Sequence, residues 1–161
     1  MSTPPPAFLQ PPWFFVFFAA MWLGVGVALS YASGWRALAE WFRSTRPIEG
    51  ERFRFASGSM GASNWFPVRY RGCLFITVGA EGFLLSLFFP FRLGSPPLFI
   101  PWTRVESVTE QPAWFVDRAV IRIRGLPTKI MIVGRAGQRI SQAYAHFAAS
   151  RDRRAEREPD R

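Results

Sequence analysis

The chain has 161 residues, with 20 Lys or Arg against 11 Asp or Glu and only one Cys and one His. A lone cysteine excludes an internal disulfide, and no set of Cys and His stands at metal-ligand spacing, so disulfide scaffolds and zinc modules drop out. The charge is segregated: residues 1–35 carry none, residues 36–150 carry 15 basic against 7 acidic side chains, and residues 151–161 carry 5 against 4.

A chain of this length holds one tether and one folded core of about 100–130 residues. Nineteen of the twenty basic residues are arginine, a bias that coding composition explains as readily as ligand chemistry. Met1–Pro12 has five prolines and no periodicity, and reads as a disordered lead-in. Trp13–Ala32 follows, twenty residues without a charge. At 1.5 Å of rise per residue it covers about 30 Å, the thickness of a bilayer's hydrocarbon core, and it reads as one transmembrane helix. Trp13 at one end and Tyr31 and Trp35 at the other suit the two interfaces. The N-terminal flank is uncharged, whereas Arg36, Arg43 and Arg46 follow the helix; positive flanks stay inside, so the remainder is expected at the cytoplasmic face of the inner (cell) membrane. The competing reading is a cleaved signal peptide ending near Ser30 or Ala32, though the basic n-region it requires is missing. Ala20, Gly24 and Ala28 recur every four residues and place small side chains on one helix face, the pattern of a homodimer through the membrane helix.

Residues 34–46 keep helical spacing, with Trp35, Leu38 and Phe42 on one face and Arg36, Glu40 and Arg43 elsewhere. This is either a juxtamembrane helix lying in the interface or a continuation of the membrane helix that packs onto the domain. From residue 50 the period changes to alternation. Arg52-Phe-Arg-Phe55 and Val68-Arg-Tyr-Arg71 set Phe53, Phe55, Val68 and Tyr70 inward, and Arg52, Arg54, Arg69 and Arg71 outward on one predicted hairpin, with Ser57–Pro67 as its loop. Like charges facing one another there would repel unless an anionic partner screened them. Cys73–Val78 and Phe83–Phe89 are apolar runs around the turn Gly79-Ala-Glu-Gly82. Residues 72–91 carry one acidic residue, Glu81, and would pass as a second membrane helix, but that central carboxylate, the glycines beside it and Pro90 favour two strands buried on both faces. Leu98–Trp102 is a strand whose Pro101 requires an edge or a bulge, and Val105–Thr109 continues it. Ala119–Arg124 and Lys129–Val133 form a second hairpin with Arg122, Arg124 and Lys129 as a further basic stripe. Ala136, Ile140, Ala143, Tyr144 and Phe147 then make the stripe of an amphipathic helix over residues 135–149, followed over 150–161 by a frayed helix end or a charged, solvated tail.

The order of about seven short strands and one amphipathic helix, with Leu74–Ser86 and then Leu98-Phe-Ile-Pro-Trp-Thr-Arg-Val-Glu-Ser-Val108, resembles bacterial pleckstrin-homology-like (PH-like) and GRAM-like domains across residues 50–149. The resemblance implies a mainly β fold, a bent seven-stranded barrel capped by a C-terminal helix. It also implies functions ranging from lipid headgroup binding to protein docking. Family members that bind inositol phosphates use basic residues around the first hairpin; Arg52, Arg54, Arg69 and Arg71 lie there, but Ser57–Pro67 contains no Lys or Arg.

No residue set amounts to a catalytic signature. His146 lies beside Phe147 on the last predicted helix with no nucleophile in reach of the pattern, and Glu49, Glu51, Glu81, Glu106, Glu110 and Asp117 fall at turns or strand ends. Gly58-Ser-Met-Gly61 lacks the lysine and hydroxyl of a phosphate loop, and Cys73 beside Leu74-Phe75 suits a buried, inert thiol. The reading is therefore a non-enzymatic, membrane-tethered binding or scaffolding module without cofactor or metal, contacting a protein partner or an anionic lipid surface. Nucleic acid is discounted, because the aromatics alternate away from the arginines. Two alternatives stand beside it: a lipid-like ligand carrier with Trp65, Phe66, Phe83 and Trp102 lining a cavity, and an accessory subunit of a larger membrane complex.

Overall fold

Alternating apolar side chains from residue 51 onward curl a single antiparallel sheet around one core. The computed structural model describes residues 12–61, 67–89, 92, 94–112 and 117–157. Its elements are helices α1 (Trp13–Ala32) and α2 (Trp35–Phe42), strands β1 (Glu51–Gly61), β2 (Val68–Val78), β3 (Gly82–Leu87), β4 (Leu98–Pro101), β5 (Val105–Gln111), β6 (Arg118–Ile123) and β7 (Lys129–Val133), and helix α3 (Arg135–Arg157). The strands pair in the order β4-β3-β2-β1-β7-β6-β5, a curled half-barrel whose edges are β4 and β5. A 3-10 turn at Trp102–Arg104 links those edges where one continuous strand would have had to cross between them.

The core is formed by inward residues of every strand, among them Ile76, Phe83, Leu85, Ile100, Ile121 and Ile130, with Ala136 and Ile140 of α3 packed over one end. Residues 72–91 supply strand, not helix, wherever they are described: β2 runs to Val78 and β3 begins at Gly82, in register from Leu74↔Leu87 to Val78↔Phe83. Their outward side chains are half-buried, so the two strands alternate where burial on both faces was expected.

Several boundaries depart from the sequence expectation for local reasons. Ser57–Gly61 is strand, not loop, because small residues let β1 lie between two neighbours: a Cβ on Gly58 would stand 2.5 Å from the Met131 carbonyl oxygen. Val68–Val78 is one strand that bends at Gly72, which adopts φ +61°. A bulge between Phe53 and Ala56 breaks the alternation, so Phe53 packs on the core while Phe55 turns outward with φ 58°. Of the two readings of residues 150–161, the helix end is the one observed as far as Arg157. Met1–Pro11 of the lead-in, together with Trp65 and Phe66, lies outside the described residues.

α1 shows its apolar side chains to the exterior along its length, with 6% of its most apolar window buried. Ala20, Gly24 and Ala28 all lie on open surface, and nothing stands within 4 Å of a Cβ built on Gly24. Only the last turns touch the domain. Ser30 Oγ donates to the Gly94 carbonyl at 2.8 Å, and both Ser30 and Ser33 are buried. The chain then turns through Gly34 (φ 73°) into α2, whose Trp35, Leu38 and Phe42 enter the core. Of the two expected roles for residues 34–46, packing onto the domain is the one observed. Trp35 is 0% exposed, so its assignment to a bilayer interface is overturned: its indole N–H donates to the Pro96 carbonyl at 2.8 Å and its ring meets Tyr70 edge-on at 5.9 Å. After α2, Arg43 bridges to Leu98 and the Ser44 amide donates to Pro97, covering the start of the β4 edge.

Candidate functional site: a basic cleft beside the apolar helix

The apolar face of α2 is committed to the core, so its polar face looks out. Arg36, Glu40 and Arg43 stand on that face at i, i+4 and i+7. Opposite them stand Arg92 and residues 94–97, the latter held to α1 and α2 through Gly94 and Pro96. Between the two lies an open cleft of about 620 Å³ lined by Arg36, Glu40, Arg43, Thr45, Arg92 and residues 94–97. Three guanidinium groups thus face one carboxylate. The Arg36 guanidinium donates to the Tyr31 hydroxyl and lies 4.4 Å over its ring, which directs it along the end of α1. Neither Arg43 nor Arg92 has a carboxylate in ion-pair range among the described residues. The cleft therefore suits an anion that offers paired oxygen acceptors to a planar guanidinium, such as phosphate.

The basic residues expected to act together are dispersed. In the β1–β2 register Arg52 opposes Thr77 and Arg69 opposes Ser59, seven positions apart along β1 and on the order of 20 Å. All four of Arg52, Arg54, Arg69 and Arg71 are exposed, but the cross-strand repulsion expected from a simple hairpin does not arise. Arg52 instead joins Arg135 and Arg139 around a second groove of about 650 Å³ at the start of α3, where Arg139 is paired with Glu51 at 2.9 Å. The second hairpin does gather its charges: Arg122 and Lys129 are direct cross-strand partners, and the Arg124 amide donates to the Arg104 carbonyl. Arg104 stands 5.9 Å over the ring of Trp41 on α2.

Of the expected cavity-lining aromatics, Phe83 and Trp102 are core residues in mutual contact at 5.4 Å. His146 is exposed on α3. Cys73 is half-buried, and burial pushes its thiol above the ordinary value. Burial likewise raises the Tyr70 phenol; the nearby Ser33 hydroxyl pulls the other way, yet the Tyr70 oxygen makes no hydrogen bond of good geometry. Among the described residues no three His, Cys, Asp or Glu side chains are gathered into a metal-binding group.

The cleft was not singled out in the sequence. Arg36 and Arg43 on one helix face are visible there, and Arg92 is the one basic residue between Gly72 and Thr103, but nothing local brings Arg92 and residues 94–97 against α2. No protein-family model matches the sequence, and no curated protein matches it.

Proposed function

We propose that the chain is a single-pass membrane protein whose β half-barrel, of the PH-like type, binds anionic lipid headgroups at the cytoplasmic surface. The observation that carries this reading is the junction. An exposed apolar helix of bilayer length ends in residues buried within the folded domain, and a basic cleft opens directly beside that end. The same junction supports a retained anchor over a cleaved signal, since Ser30 at the end of α1 is buried in the domain and bonded to the Gly94 carbonyl. The tether holds the cleft at headgroup level, so even a weak site is populated by effective concentration. Each arginine near an anionic surface contributes about 1 kcal/mol, so Arg43 and Arg92 together contribute about 2 kcal/mol, or roughly thirtyfold in affinity.

The test uses the full chain in nanodiscs of mixed anionic and zwitterionic phospholipid, released and weighed by native mass spectrometry. Wild type is expected to retain anionic lipid in excess of its share, and the double variant Arg43→Gln/Arg92→Gln to lose most of that enrichment. Equal retention of both lipid classes by wild type contradicts headgroup binding and turns attention to a protein partner at the same surface.

A further inference from the structure

We infer that Phe55, Phe75, Phe88 and Phe89 form a second membrane contact, an aromatic wedge that enters the bilayer interface beside α1. The inference rests on the reading of α1 as a membrane span. Three rings make one cluster on the outer face of the sheet: Phe55 meets Phe75 at 5.5 Å and Phe88 at 6.0 Å, and Phe75 meets Phe88 at 5.9 Å. Phe55 is 60%, Phe88 42% and Phe89 68% exposed. Leaving three large aromatics open to water forfeits the transfer energy that burying them would bring.

The backbone of Phe55 makes the cluster harder to dismiss as incidental. Phe55 is a non-glycine residue held in the strained left-handed region, and a β-bulge is the place where a strand re-aims a side chain. Here strain turns a phenylalanine out of the core face and onto two others.

The occupant follows from where the cluster leads. Phe88 and Phe89 open the segment that reaches Gly94, whose carbonyl accepts from Ser30. A Cβ on Gly94 would lie 3.7 Å from a methyl of Val27 and 3.9 Å from its Cα. Val27 is five residues before the end of α1, about 7.5 Å inside it at 1.5 Å per residue. Gly94 is thus fixed at interface depth, and the wedge sets Phe89, five residues before it, at the same depth, where exposed phenylalanines partition. Arg92 on the same segment and Arg54 beside Phe55 are suited to reach back to headgroups.

Depth measurement by spin labelling of the full chain in anionic vesicles tests this. In a Cys73→Ser background, a nitroxide at Phe89→Cys is expected to collide more often with oxygen than with a water-soluble nickel chelate, as does a control label at Val16→Cys. Adding Phe55→Asn, which tolerates a left-handed backbone while removing the ring, is expected to shift the Phe89→Cys label toward water with the circular dichroism spectrum unchanged. A water-exposed label at position 89 with a lipid-exposed label at position 16 overturns the wedge and leaves the tether standing. Ordering by self-association at raised protein concentration, with the label still shielded from lipid, assigns the patch to a second copy and overturns it too. A water-exposed label at position 16 overturns both readings.

Discussion

Replacing Trp35 with alanine separates two physical pictures of α2. In the structure the indole is fully buried, bonded to the Pro96 carbonyl at 2.8 Å and packed edge-on against Tyr70, at the point where α1 joins the domain. Truncating a buried Trp costs about 3–5 kcal/mol in lost transfer energy and cavity. Leaving the Pro96 carbonyl without its donor adds about 1–3 kcal/mol if water cannot reach it. A total of about 4–8 kcal/mol is comparable to the whole stability of a domain this size, so Trp35→Ala should be unfolded or nearly so. Trp35→Phe keeps most of the ring volume and should lose about 1–3 kcal/mol. Equilibrium urea unfolding of the full chain in mild detergent, followed by far-ultraviolet circular dichroism, reads both. A loss below about 1 kcal/mol for Trp35→Ala would mean that α2 lies in the detergent or lipid interface and not in the core, and the docking of the anchor would have to be abandoned.

Further outcomes follow from single residues. Gly58→Ala forces a methyl to within 2.5 Å of the Met131 carbonyl oxygen, and the β1–β7 pairing should lose about 1–3 kcal/mol, seen as accelerated amide exchange in β7. Tyr70→Phe removes a buried hydroxyl that makes no good hydrogen bond and should leave stability unchanged or raise it by up to about 1 kcal/mol in the same urea titration. Because burial raises the Tyr70 phenol above 10.0, its contribution is fully present below that pH and is lost as pH climbs toward the folded value; alkaline destabilisation should shrink in Tyr70→Phe. Arg139→Gln breaks an exposed ion pair with Glu51 and should cost less than about 1 kcal/mol. The Cys73 thiol, held up by burial, should react with maleimides more slowly at neutral pH than a free thiol peptide, with native and urea-unfolded chains compared directly.

Patterns of local origin were legible in the sequence. Trp13–Ala32 is a helix, the alternating runs are strands, and the stripe from Ala136 to Phe147 lies on a C-terminal helix. What alternation could not convey was the bulge at Phe53–Ala56, which adds no residue type of its own and reverses the face of Phe55. Gly58, read as a loop signal, serves close strand approach, a role that depends on which strand comes alongside. The site was the least legible part. Arg52, Arg54, Arg69 and Arg71 look clustered because they are near in sequence, yet register spreads them, whereas Arg43 and Arg92 are far apart in sequence and meet across one cleft.

The central claim is that α1 crosses a bilayer and holds the half-barrel on the cytoplasmic side. Its most direct measurement is cysteine accessibility in a Cys73→Ser background, comparing His146→Cys, exposed on α3, with Gly24→Cys in the middle of α1. A membrane-impermeant maleimide should label position 146 in inside-out membrane vesicles and not in intact cells, and should label position 24 in neither. Labelling at position 146 in intact cells, or at position 24 from either side, would contradict the account.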